Sequence, residues 1–262
     1  QRAGFEDARQ DGVALDVQYA DSGDSNTVAL SALQSVLRDE PAVVFGPYLG
    51  SQIMAMRPRL ESAKVPMLAM SGTPSITKDE NTSVYRWATS VDVSEPATAE
   101  WAAKNLGIKR PAILADTSAF GQQGTALVEQ ALNKAGLTVV AKESMNPADT
   151  DIAGQLFKIG QAQPDAVFVQ VIGGATGAVV LKGLESHGMQ VPVVWGSGIV
   201  YHSLLDLATP AQVEGIYGNT IGSMAVAANS PDPGIADVLR RYKDKTGREG
   251  DTSVIGGLRR GA

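Results

Sequence analysis

Residues 112–136 read Ala112-Ile113-Leu114-Ala115, then Asp116-Thr117-Ser118-Ala119-Phe120-Gly121, then a stripe of Ala126, Leu127, Gln130, Ala131 and Leu132 ending at Gly136. Four successive apolar residues suit a strand buried on both faces. A turn rich in hydroxyls and glycine follows, and apolar residues then recur at helical spacing over Gln123–Ala135. Glycine is a common helix stop, because it accepts the left-handed conformation that follows the last turn. The segment is one strand–loop–helix unit, and the unit recurs. Strand starts at Ala112, Thr138, Ala166 and Val193 lie 26, 28 and 27 residues apart. This is the rhythm of successive βα units rather than a sequence repeat. It predicts an α/β fold on mostly parallel sheets flanked by helices.

Working outward, strands are predicted at Ala14–Tyr19, Ala42–Phe45, Pro66–Ala69, Val84–Trp87, Ala112–Ala115, Thr138–Glu143, Ala166–Val171, Val193–Trp195 and Gly215–Ile221. Further helices are predicted at Ser25–Arg38 with Asp24 as its cap, at Gly177–His187 stopped by Gly188, and at Pro233–Thr246 stopped by Gly247. Ligands on such sheets bind at the carboxyl ends of the strands. The loops that follow each strand are therefore where function is expected.

Composition removes several classes of function. The chain has 262 residues, 44% of them apolar and 19% charged, enough for a packed core. It has no cysteine and only two histidines, His187 and His202. That removes disulfide scaffolds, thiolate metal sites, cysteine nucleophiles and histidine-rich metal sites, and no EF-hand spacing of acids is present. The net charge is −6, and basic residues gather no further than adjacent pairs such as Arg240-Arg241 and Arg259-Arg260, which argues against a nucleic-acid partner. The uncharged run nearest in character to a membrane span, Ala166 to Leu181, is broken by Gln170, Gly173, Gly174 and Gly177 and falls short of one. No P-loop and no G-x-G-x-x-G occurs, and Gly173-Gly174-Ala175-Thr176-Gly177 reads as a strand-to-helix turn. Trp195-Gly196-Ser197-Gly198 is one residue short of a nucleophile elbow, and no acid–base set accompanies it. The chain is expected to be neither an enzyme nor a cofactor protein.

The post-strand loops share a chemistry. They are Gly46-Pro47-Tyr48-Leu49-Gly50-Ser51-Gln52, Met70-Ser71-Gly72-Thr73-Pro74-Ser75, Ala88-Thr89-Ser90-Val91-Asp92 and Asp116-Thr117-Ser118-Ala119-Phe120-Gly121. Hydroxyls and backbone amides on glycine-rich turns donate to a small carboxylate without a buried cation. Tyr48 or Phe120 can cover an apolar body.

Val43-Val44-Phe45-Gly46-Pro47-Tyr48 and Val65-Pro66-Met67-Leu68-Ala69-Met70-Ser71-Gly72-Thr73-Pro74 resemble periplasmic solute-binding proteins of the leucine/isoleucine/valine-binding type. So do Tyr85-Arg86 running into Asp92, Asp116 through Gly124, Pro164-Asp165-Ala166-Val167-Phe168 and Val213-Glu214-Gly215-Ile216-Tyr217. The resemblance implies a two-lobed type I periplasmic-binding fold, non-catalytic, with ligand trapped between lobes. Lobe one would be 1–91 plus 222–262 and lobe two 92–221. It implies delivery of an amino acid or related small carboxylate to an inner-membrane ABC transporter permease, and a periplasmic or lipid-anchored extracytoplasmic location. It also implies that the family's first strand and signal peptide precede Gln1, and that the last hinge crossing follows Ala262. The same fold also serves as the sensing domain of receptors and transcription regulators, the alternative reading.

Carried over residue by residue, the resemblance implies that Ser71 and Thr73, with Gly72 between them, hold the ligand carboxylate. Gly50 or Ser51 would add a donor, Asp92 would take an ammonium group, and Phe120 would stack where the family often has Tyr. The family's acid after the strand matching Val193–Trp195 is replaced by Gly198, and a usual aromatic falls at Gly173 or Gly174. Both changes enlarge the pocket and weaken ammonium recognition, so an aromatic acid competes with an amino acid as ligand. Tyr201 and His202 lie nearby to fill the space. Trp195 is read as core, and His202 as a ligand contact or a solvent-exposed helix start.

Overall fold

The computed structural model describes residues 12, 14–23, 25–78, 81–197, 204, 206–219 and 233–247. Their elements, in chain order, begin with α1 (Asn26–Leu37), β1 (Val44–Phe45), α2 (Gly50–Ala63) and β2 (Met67–Ala69). A 3-10 turn (Pro74–Thr77), β3 (Val84–Arg86), α3 (Val91–Asn105), β4 (Pro111–Asp116) and α4 (Ala119–Lys134) follow. The remainder are β5 (Ala141–Met145), α5 (Ala153–Gln161), β6 (Ala166–Gln170), α6 (Gly174–Ser186), β7 (Val193–Trp195), the single turn α7 (Pro210–Val213), β8 (Ile216–Gly218) and α8 (Pro233–Thr246).

The chain divides into two compact units, residues 42–219 and residues 1–41 with 220–262. The second of these contains α1 and α8. In α1, Ala29 and Leu33 are buried one turn apart, and the Ser25 hydroxyl accepts from the Val28 amide at 3.2 Å. Ser25 therefore caps the helix, one residue after the predicted Asp24, which lies outside the described residues.

Residues 42–219 carry two sheets, both wholly parallel. The smaller has the order β1-β2-β3, with Val44 paired to Met67 and Ala69 to Arg86. The larger has the order β5-β4-β6-β7-β8. Its central strands are buried at every position, while edge strand β5 alternates between partly covered and exposed residues before ending on buried Met145. That is the expected contrast between strands covered on both faces and strands at a margin. Period-two alternation sorts the core. Ala112, Leu114, Val167, Val169, Val193 and Trp195 face one layer with Leu156 and Ile159 of α5 and Val180, Leu181 and Leu184 of α6. Ile113, Ala166, Phe168 and Val194 face the other, with Ala99 and Ala102 of α3 and Val128, Ala131 and Leu132 of α4. The chain leaves β4 toward β5 on one side and reaches β6 on the other. The topological switch point therefore lies between the carboxyl ends of β4 and β6.

The structure corrects several predicted elements. Residues 14–20 are irregular and join neither sheet. β5 begins at Ala141, not Thr138, because its register is fixed by pairing with Ala112 rather than by its own composition. The predicted loop 46–52 ends at Leu49, so Gly50 and Ser51 lie in the first turn of α2, and Asp92 lies in the first turn of α3. Helices α2, α3 and α5 were not foreseen. Pro58 and Pro96 sit inside α2 and α3, where proline removes a donor and argues against a helix when read locally.

Candidate functional site

The smaller sheet ends in a buried polar turn. Ser71 and Thr73 are each 2% exposed, with Gly72 buried between them. The Thr73 amide and the Ser71 hydroxyl reach one another only through bonds of 3.4 Å, at the long limit for hydrogen bonds. These donors are thus weakly engaged within the protein. The first turn of α2 meets the same spot. A Cβ at Gly50 would overlap the Thr73 hydroxyl, so only glycine lets the two segments approach this closely.

Beneath the turn lies Arg86. Its pairing with Ala69 sets it at the end of β3, directly alongside the end of β2. Its Nη1 donates to the Ser71 carbonyl at 3.3 Å, the Gly72 carbonyl at 3.2 Å and the Ser90 hydroxyl at 2.8 Å. Its Nη2 donates to the Pro74 carbonyl at 3.1 Å and the Thr77 hydroxyl at 2.5 Å. The planar fork of arginine suits this division of labour. Burial pushes the Arg86 pKa below its ordinary value, and nearby Asp92 opposes the shift. Asp92 itself lies 3.9 Å from Lys78 Nζ. The carboxylate assigned to a ligand ammonium thus stands among two of the protein's own cations.

The switch point of the larger sheet carries the second set of residues. Asp116, closing β4, is 1% exposed and accepts from the Ser118 amide at 2.9 Å, from the Ser118 hydroxyl, and from the Ile172 amide at 2.8 Å. It thereby binds the loops after β4 and β6 together. Phe120, 6% exposed, sits in the first turn of α4. Gly173 caps α6 with φ 96°, a left-handed value that glycine accepts without strain. Gln123 of α4 crosses to the smaller sheet's side: its carbonyl accepts from the Ser75 amide at 3.3 Å and its Nε2 donates to the Ser75 hydroxyl at 3.1 Å.

A buried carboxylate joins further parts. Glu95 of α3, 1% exposed, accepts from the Ser197 amide at 2.9 Å, Gln170 Nε2 at 2.9 Å, the Ser94 hydroxyl at 3.3 Å and Asn219 Nδ2 at 3.4 Å. Every one of these donors is neutral. The Gln170 amide is wedged between two glycines, since a Cβ at either Gly124 or Gly196 would come within 2.5 Å of its oxygen.

The structure therefore brings Gly50, Ser71, Gly72 and Thr73 together. Ser51 is exposed one residue along α2. Tyr48 lies in the irregular segment before α2, 37% exposed. Gly198, Tyr201 and His202 lie outside the described residues. Sequence reasoning missed Arg86, Glu95, Gln123 and Gln170 as contributors. Gln170 carried a signal, being the one polar side chain in an apolar strand; Glu95 carried none, because its helix was not recognised. Among the described residues, no group of three or more acids and histidines could hold a metal, and no helix is long and apolar enough to cross a membrane.

Comparisons with known proteins agree with this architecture. A Leu/Ile/Val-binding protein, BraC3, of Rhizobium johnstonii is 25% identical over 219 residues, which are 82% of this chain and 58% of that relative's length. Among solved structures, a leucine binding protein, LivK, from Thermotoga maritima MSB8 superposes with a TM-score of 0.87 at 21% identity, covering 97% of this chain and 73% of the other. A solute binding protein of an ABC transporter from Rhodopseudomonas palustris BisB5, in complex with 3,4-dihydroxy benzoic acid, superposes with a TM-score of 0.80 at 23% identity, over 98% of this chain and 73% of the other. The family model described as periplasmic binding protein matches residues 1–258, and the chain belongs to that family.

Proposed function

We propose that the chain captures a small carboxylate as the non-catalytic solute receptor of an ABC importer. It would work outside the cytoplasmic membrane, in the periplasm or on a lipid anchor, and pass its ligand to the transporter's permease. The observation that carries this reading is the convergence at Thr73. Two weakly engaged hydroxyls, a backbone amide and the first turn of α2 meet there at the end of a parallel sheet. Such donors match the oxygens of a carboxylate. Lobes of 1–91 plus 222–262 and 92–221 would close on it, with Phe120 and the loop after β6 contributed by the second. Tyr48, Gly50, Ser51, Ser71, Gly72, Thr73, Asp92, Phe120, Gly173, Gly198, Tyr201 and His202 form the proposed contact set.

Two features support an aromatic acid over a plain amino acid. Gly198 stands where the amino-acid binders have an acid. Asp92 already faces Lys78 and Arg86, which leaves less of its field for a ligand ammonium. The dihydroxybenzoate complex of the Rhodopseudomonas protein supports this class of ligand for the fold. A calorimetric panel of leucine, phenylalanine, benzoate and 3,4-dihydroxybenzoate tests the proposal. Saturable binding of an aromatic acid, tighter than leucine, is expected. Binding of leucine alone would restore the amino-acid reading, and binding of none would overturn the carboxylate site.

A further inference from the structure

We infer that Arg86 is a positioning residue that delivers positive charge to the bound carboxylate through the peptide group between Gly72 and Thr73, without touching the ligand. The inference rests on the carboxylate reading of the 71–73 turn. A peptide group is a rigid dipole whose carbonyl and N–H point in opposite directions. The Gly72 carbonyl takes Arg86 Nη1 at 3.2 Å, the Val91 amide at 2.9 Å and the Ser90 hydroxyl at 3.5 Å. The other end of that peptide is the Thr73 N–H, a proposed carboxylate donor whose internal bond is only 3.4 Å long. Hydrogen bonding at the carbonyl polarises the group and strengthens its N–H as a donor, and a charged partner does so most strongly.

The Ser71 carbonyl, held by the same Nη1 at 3.3 Å, places the Gly72 N–H in the same position one residue earlier. Two successive amides thus have their carbonyls on one guanidinium. The arrangement solves a particular problem. A cation in direct contact would bind an anion tightly and pair with any anion. A cation one peptide away raises the affinity while the ligand meets only neutral, directional donors. Burial of the guanidinium lowers the Arg86 pKa, and Asp92, its charged neighbour, opposes that shift.

The test separates charge from bracing. Arg86→Lys keeps the charge but not the fork, while Arg86→Gln loses both. Affinities are measured for 3,4-dihydroxybenzoate and leucine against their amides, 3,4-dihydroxybenzamide and leucinamide. Wild-type protein should prefer the acid. The lysine variant should keep most of that preference, and the glutamine variant should lose about tenfold of it. Equal loss for acid and amide in both variants, with the preference intact, would reduce Arg86 to a brace and overturn the inference alone. Wild-type binding of the amides as tightly as the acids would overturn the carboxylate reading itself. If the glutamine variant does not fold, the lysine variant still decides: a preference lost while charge is retained refutes the relay.

Discussion

Thr73 illustrates how a single side chain is committed by its neighbours. It is 2% exposed, the start of α2 presses on its hydroxyl, and its amide has only one long internal bond. A buried hydroxyl so weakly used keeps its capacity for a further oxygen, and the proposed site gives it one. Thr73→Ala should weaken carboxylate binding by about 1–3 kcal/mol, the worth of a hydrogen bond to a charged group. Unchanged affinity in a calorimetric titration would remove Thr73 from the site. Glu95 is the opposite case, a carboxylate whose oxygens are fully used inside the protein. Glu95→Ala would strand the Ser197 amide and the Gln170 amide, each at a cost of about 1–3 kcal/mol, so a loss of roughly 3 kcal/mol in urea unfolding is expected. Glu95→Gln should cost less, because the Gln170 amide can turn its oxygen toward the new donor. A glutamine variant as unstable as the alanine one would show that charge, not shape, is what the cluster requires.

The elements differ in how far the sequence announces them. β4, β6 and β7 were legible because strands covered on both faces are continuous apolar runs, and α6 and α8 because glycine marks their ends. α2 and α3 were not, since Pro58 and Pro96 contradict a helix unless the packing of Ile53, Met56 and Leu60, or of Ala99 and Ala102, is known. The same blindness hid part of the site: Ser71, Gly72 and Thr73 stood out by type, but the role of Arg86 depends on its register with Ala69, which no local pattern encodes. That register also fixes a pH expectation. The fold lowers the Arg86 pKa, so the unfolded chain holds that proton more tightly. Stability linked to this group rises with pH only where it titrates, at strongly alkaline pH. Between about pH 5 and about pH 9 wild type and Arg86→Lys should differ in urea midpoint by a constant offset. An offset that changes across that window would mean that the substituted lysine, or a group beside it, titrates there.

At the scale of the molecule, the question raised by the proposed capture is what would hold a ligand between the 71–73 turn and the β4–β6 switch point. The chain passes from the smaller sheet to the larger through 87–110, which include α3, and any motion of one against the other must strain or break what bridges them. The Ser75–Gln123 pair is such a bridge, with two reciprocal bonds between residues 48 apart, both only partly buried. If ligand is trapped by closure, this pair acts after capture, and its loss should speed release more than it slows entry. Stopped-flow measurements with 3,4-dihydroxybenzoate on Ser75→Ala, Gln123→Ala and the double variant should show faster dissociation with association nearly unchanged. The two single effects should not add, since Gln123→Ala already removes both bonds and Ser75→Ala removes only the hydroxyl one of the same pair. Gln123→Glu supplies a sharper control. Its two oxygens can accept from the Ser75 amide and the Ser75 hydroxyl at once, so slow release should survive at neutral pH. Additive single effects, or release rates equal to wild type, would assign the pair to static packing and shift the retention of ligand to other contacts between the two sheets.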